Sequence, residues 1–204
     1  MRFLFQRVLK DDIIDPYYDW DGDDTSQSSA WFQAQAKKLK NYQPGRLMRR
    51  GAANAVERPM IRGEMFLFNY NPKGKDTLQY YDRFPVVVVL EINATHMLGL
   101  NFHYLPYRER AILMQRMYVQ YLNNEEFDET TFFRNISYDK LSGASTKLKY
   151  FKPCLKRYIN NNIVGRMVKI HPAEWDIVLQ LPIERFVRAR RERVWKDSRN
   201  MWNK

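Results

Sequence analysis

The chain has 204 residues, and its 34 Lys and Arg against 23 Asp and Glu leave a net charge of +11. Apolar residues make up 45%, with 13 Tyr, 12 Phe and 5 Trp, which supports a packed core and excludes global disorder. The single cysteine, Cys154, excludes an intrachain disulfide and a four-cysteine zinc site, and fits a reducing compartment.

The longest uninterrupted apolar run, residues 86–90, is far too short for a membrane span, and the opening MRFLFQRVLKDD is too interrupted for a secretory signal. Asn93-Ala-Thr95 and Asn135-Ile-Ser137 fit the glycosylation pattern by chance. Charge is unevenly spread. Residues 11–24 hold seven Asp and no base. Residues 37–62 hold eight bases and one acid, 147–169 seven bases and no acid, and 185–204 eight bases and two acids. Such a balance points to polyanionic partners or acidic protein neighbours.

In chain order, residues 1–28 form an acidic, turn-prone arm, and 29–204 a single domain. A helix is predicted over 29–41, with Trp31, Phe32, Ala36 and Leu39 on one face, until Pro44-Gly45 breaks it. A weaker helical piece follows over 46–55. Residues 64–70 alternate with apolar side chains on both faces, as in a well-covered strand. Asn71-Pro-Lys-Gly-Lys75 is a turn, and Pro85 introduces a central strand over 86–92. Asn93-Ala-Thr95 turns the chain into a strand over 96–104. Pro106 suits the first turn of a helix over 107–122, with Ala111, Met114, Met117, Tyr118 and Tyr121 as its apolar face. A short helical turn is predicted at 138–141 and a helix over 151–159, stopped by three asparagines. A strand over 164–170, an apolar run over 175–181 (strand or helical turn) and a helix-prone, Arg-rich tail complete the chain.

Few motifs carry chemistry. Asp19-Trp-Asp-Gly-Asp-Asp24 places Gly22 fourth and Ala30 twelfth, where a calcium loop needs Gly sixth and Glu twelfth. No metal or cofactor site follows. His96 and His103, seven residues apart, fall on opposite faces, and His103 reads as a packed side chain with one hydrogen bond. A low thiol pKa at Cys154 is conceivable beside Lys156 and Arg157, but no histidine stands near it in sequence. There is no phosphate loop, HExxH pair or nucleophile elbow, so no enzyme activity is expected. Within Tyr80-Tyr81-Asp82-Arg83-Phe84-Pro85, Tyr80, Tyr81, Phe84 and Pro85 read as structural. Asp82 there satisfies turn amides or pairs with a base.

Three basic groups remain as candidates for nucleic-acid or partner binding. Lys37, Lys38 and Lys40 stand beside Arg46, Arg49 and Arg50. Lys147, Lys149, Lys152, Lys156 and Arg157 interleave with Tyr150, Phe151 and Tyr158. Arg188, Arg190, Arg191 and Arg193 lie in the tail. Phosphates need such cations, and aromatics between them offer stacking surfaces.

The set GEMFLFNYNPKGKDTLQYYDRFP, LGLNFHYLP, HPAEWDIVLQLPIERF and VWKDSR resembles a virion protein family of T-even-like tailed bacteriophages (myoviruses), the DNA end protector family. The resemblance spans about residues 63–199, with Gln79 where the pattern has proline. It implies a non-enzymatic protein of the virion, made in the host bacterial cytoplasm, that binds duplex DNA or its ends beside other phage virion proteins and no membrane. The alternative is a structural adaptor of the baseplate or head–tail junction that docks onto other virion proteins. The expected fold is α+β: an SH3-like small β-barrel over about 63–106 and 164–181, flanked by helices.

Overall fold

Apolar residues at both parities of a strand require cover on both sides, and the central strands here are built that way. The computed structural model describes residues 55–56, 60–121, 151–171 and 174–202. Strands β1 (Ala55–Val56), β2 (Met65–Tyr70), β4 (Val86–Ile92), β5 (His96–Asn101), β6 (Leu155–Ile159) and β7 (Ile163–Ile170) form one antiparallel sheet in the order β1-β7-β2-β4-β5-β6. A two-stranded ribbon pairs β3 (Tyr81–Asp82) with β8 (Phe186–Val187). The helices are α1 (Tyr107–Tyr121), α2 (Phe151–Cys154), α3 (Trp175–Gln180) and α4 (Arg191–Trp202). The class is α+β.

Phe66, Phe68 and Tyr70 of β2 share one face with Val87, Val89, Met97, Tyr158 and Met167, and these pack into one apolar cluster. Met65 pairs with Val88 and Leu67 with Val86 on the other face, and all four are fully buried. Strong curvature follows from chain length. β6 lies four places from β7 in sheet order, about 19 Å away in a flat sheet. Only Asn160–Asn162, a 3-10 turn, joins them, and the step from Ile159 to Ile163 spans at most about 14 Å. The sheet must curl toward the aromatic face. The rings of Tyr70 and Tyr158 meet there at 4.9 Å between centroids, and the Tyr70 hydroxyl accepts from the Ile159 amide at 3.2 Å. Among the described residues β6 does not pair with β7, so no closed barrel forms and the SH3-like expectation is not met in that form.

Several local expectations change for identifiable reasons. Ala55, placed in a helix by the sequence, is paired as a strand with Val168. Residues 151–159 are not one helix: α2 ends at Cys154, and Leu155–Ile159 hydrogen-bonds along β5, which would otherwise be an open edge. β5 stops at Asn101 because the Asn101 side chain accepts from the His103 amide and starts a 3-10 turn over Phe102–Tyr104. Of the two readings left open for residues 175–181, the helical one holds, over Trp175–Gln180. The tail helix begins only at Arg191, after β8 and after Arg188 with φ of 69°. The Asn93 turn is as expected: its side-chain oxygen accepts from the amides of Thr95 and His96. Gly99 has a steric reason. A Cβ there would lie 2.2 Å from Val87 Cγ1 and 2.9 Å from the Val88 carbonyl oxygen. The helices expected over 29–41 and 138–141, and the acidic arm, lie outside the described residues.

Candidate nucleic-acid interface

A buried polar network organises the surface that carries the C-terminal cations. Its centre is Asp82, held by the ribbon of β3 and β8. Asp82 Oδ1 accepts from the Phe84 amide at 3.1 Å and the Arg185 amide at 3.3 Å. Its Oδ2 lies 2.6 Å from His103 Nδ1 and accepts from Asn101 Nδ2 at 3.2 Å. The aspartate thus satisfies turn amides and pairs with a base, and His103 is packed with one side-chain partner, as the sequence implied. Asn101 Nδ2 also donates to the Tyr158 hydroxyl, and Trp195 Nε1 of α4 donates to the His103 carbonyl at 2.9 Å. Tyr80 packs edge-on against Phe186, which in turn meets Tyr104. Burial and Asp197 push the Tyr80 hydroxyl up to about 12. Arg83 stacks on Phe84, and the Pro85 carbonyl accepts from Phe68.

A second buried group adjoins the first. Arg110 of α1 is fully buried, donating to the carbonyls of Leu105 at 2.7 Å and Leu179 at 3.2 Å and to Glu184 Oε2 at 3.2 Å. Its guanidinium stacks on the Tyr107 ring. Burial alone would raise the Glu184 carboxyl. Arg110, His103 and Arg191 outweigh it and hold that carboxyl at about 2. Glu184 Oε1 accepts from the Tyr107 hydroxyl at 2.9 Å and from Arg191 at 3.0 Å. Sequence reasoning missed Arg110 and Glu184, and it placed Ala111 on the apolar face of α1, where Ala111 is exposed and Arg110, Leu113 and Met114 point inward. An arginine inside an apolar heptad was the available signal. Its partner, 74 residues away, was not visible.

The cations sort into three kinds. Arg190, Arg193, Lys196 and Arg199 are exposed, and their side chains form no hydrogen bond or ion pair among the described residues; the same holds for Lys152 on α2 and Arg157 on β6. The element carrying Lys152 packs against α4. Arg191 and Arg188 are exposed but engaged: Arg191 with Glu184 and Tyr107, Arg188 with the Asp76 carbonyl at 2.6 Å. Lys156 is half-buried with its ammonium 3.9 Å from the centre of the Tyr104 ring, and burial lowers its pKa. Lys37, Lys38, Lys40, Arg46, Arg49, Arg50, Lys147 and Lys149 lie outside the described residues. A cleft of about 840 Å³ opens between the start of α1 and the start of α4, lined by Arg108, Arg185, Arg190, Arg191 and Arg199 and three glutamates.

Burial drives the Cys154 thiol up to about 12, against the low value its basic neighbours suggested. No group of three metal-ligating side chains occurs among the described residues, and no helix there is long and apolar enough to cross a membrane.

An α+β fold with a buried polar network and an exposed basic helix does not by itself define one function. The comparison with known families is more specific. Residues 18–204 match the family described as phage T4 terminal DNA protecting protein, and the chain belongs to that family. No curated protein and no solved structure matches. The motifs that carried the resemblance meet in space. Asp82 comes from the first, Asn101 and His103 from the second, Glu184 and Arg185 from the third, and Trp195 from the fourth.

Proposed function

We propose that the protein is a non-enzymatic component of a phage particle that binds the ends of duplex DNA and shields them. Membership of the terminal DNA protecting family over residues 18–204 carries this reading. The free cations of α4, Arg193, Lys196 and Arg199, supply the electrostatic means, with Arg190 beside them and Lys152 on the adjoining element. Three such cations on one helix face suit successive phosphates, and their net charge steers a polyanion before contact. The other basic groups, at 37–50 and 147–149, add to the same task within one domain over 29–204, which follows an acidic arm at 1–28 in the sequence. The curled sheet serves as a barrel-like platform for that surface. The protein is made in the bacterial host and carried in the virion.

The test compares a linear duplex with a covalently closed circle of the same sequence. End binding predicts preference for the linear form, with log affinity falling by about 0.9 per phosphate contact for each log unit of salt. If the protein ignores linear duplex at about 50 mM salt, where electrostatic binding is strong, the DNA reading fails. The basic faces would then be docking surfaces for virion proteins at the baseplate or head–tail junction.

A further inference from the structure

The most acidic stretch of the chain contains no base, and the exposed face of α4 has cations without counter-charges among the described residues. Residues 11–24 hold seven Asp and no base. On and beside α4, Arg190, Arg193, Lys196 and Arg199 are exposed without an ion pair among the described residues. The two acids of that helix are engaged elsewhere. Glu192 pairs with Arg191, and Asp197 meets the Tyr80 hydroxyl. Lys152, on the element that packs against α4, is exposed and likewise without an ion pair among the described residues.

The acidic stretch carries more than charge. Tyr17, Tyr18 and Trp20 stand among Asp15, Asp19 and Asp21. Carboxylates accept from guanidinium groups, and aromatic rings take them on their faces. A DNA strand presents arginine with the same two groups, anionic oxygens and planar rings. The spacing agrees. In an extended strand Asp19, Asp21 and Asp23 would stand about 6.6 Å apart, while Arg193, Lys196 and Arg199 climb about 4.5 Å per step along α4, a difference their long stems span. Residues 25–54 separate the acidic stretch from β1 and span about 100 Å when fully extended, enough to reach any face of a domain this size.

We propose that residues 11–24 dock on the cationic face of α4 of their own chain and compete there with DNA. The inference rests on the end-binding reading and adds how weak binding elsewhere on DNA is suppressed. Exposed ion pairs are worth little singly, but a tether makes their contact intramolecular and raises its effective concentration. Binding that is electrostatic alone is therefore discounted. The interior of a duplex offers α4 its phosphates and nothing else, and the acidic stretch competes with it directly. A DNA end that also meets other parts of the protein displaces the acidic stretch and stays bound.

The experiment uses the full chain and two readouts. A carbodiimide joins carboxylates to amines in contact, and mass spectrometry identifies the linked residues. Cross-links from residues 11–24 to Lys196 or Lys152 are expected in the free protein and should vanish when duplex DNA is added. The second readout is affinity for a covalently closed circle. The variant Asp19→Asn/Asp21→Asn/Asp23→Asn/Asp24→Asn should bind it about tenfold tighter, so that the preference for linear DNA shrinks. The same four changes should bring no gain in a chain that also carries Arg193→Gln/Lys196→Gln/Arg199→Gln. An equal gain in both backgrounds is a long-range charge effect and overturns docking on α4. Absence of the cross-links, in a protein that still prefers linear DNA, overturns the contact and leaves end binding intact. Cross-links between labelled and unlabelled chains in an isotope mixture make the occupant a second copy and overturn the intramolecular contact. Cross-links in a protein that binds neither DNA form at about 50 mM salt overturn the competition together with the end-binding reading.

Discussion

Arg110 and Glu184 show how a single buried pair sets the chemistry of the surface above it. Glu184 stays ionised in the folded protein down to about pH 2, while an unfolded glutamate takes its proton near 4.3. The unfolded chain therefore binds the proton first as pH falls. The stabilisation is complete above about 4.3, shrinks as pH falls toward 2, and amounts to roughly 3 kcal/mol. Glu184→Gln should remove this part of the acid limb in urea titrations taken between pH 2 and 5. At pH 7 it should cost about 3–5 kcal/mol, because the Arg110 charge stays buried without its counter-charge. An acid limb as steep in the variant as in the parent would show that the pair does not govern it. Gly99 makes a separate point. The nearest atoms to an added Cβ belong to the neighbouring strand, one of them backbone. Gly99→Ala should lower stability by about 2 kcal/mol, read as a shifted urea midpoint. An unchanged midpoint would mean that β4 and β5 can separate locally without loss.

Among the elements, α4 divides its duties by face. Val194 and Ser198 are buried and Trp195 anchors to the His103 carbonyl, while Arg193, Lys196 and Arg199 point outward. Reversing those three cations to Glu should therefore reduce the salt slope of DNA binding by about 3, at 0.9 for each lost phosphate contact. The melting temperature should stay nearly the same, since no ion pair among the described residues is broken. An unaltered slope would remove α4 from the interface. Arg191 is the wrong residue for such a test, because its guanidinium also completes the Glu184 pair. The strands β2 and β4 were legible because apolar runs of this kind have few alternatives to a covered sheet; β5 followed from the Asn93-Ala-Thr95 turn before it, and β7 from the alternation of Val164, Arg166, Val168 and Ile170 with Gly165, Met167 and Lys169. β6 was not. Leu155–Ile159 follows a helical turn that contains Pro153, and only the open edge of β5 decides its state, which no local pattern records.

For the whole molecule, the sequence showed the α+β class, the three basic blocks and the motif set, but not what those motifs build. Each reads as an ordinary turn or strand end until the curl of the sheet brings residues 82, 101, 103 and 185 together. The cleft was equally hidden, since its two helix starts lie more than 80 residues apart. The geometry of Asp82 also bears on how the protein comes into being. Its Oδ1 takes a hydrogen bond from an amide 103 positions later, and the helix that closes over His103 comes later still. A nascent chain emerging from the ribosome can pair β2, β4 and β5 early, yet Asp82 lacks its last hydrogen bond and β3 its partner strand until Arg185 and β8 have left the exit tunnel. Productive folding is thereby deferred to the end of synthesis, and a chain that stalls before that point presents an open apolar sheet to chaperones and proteases.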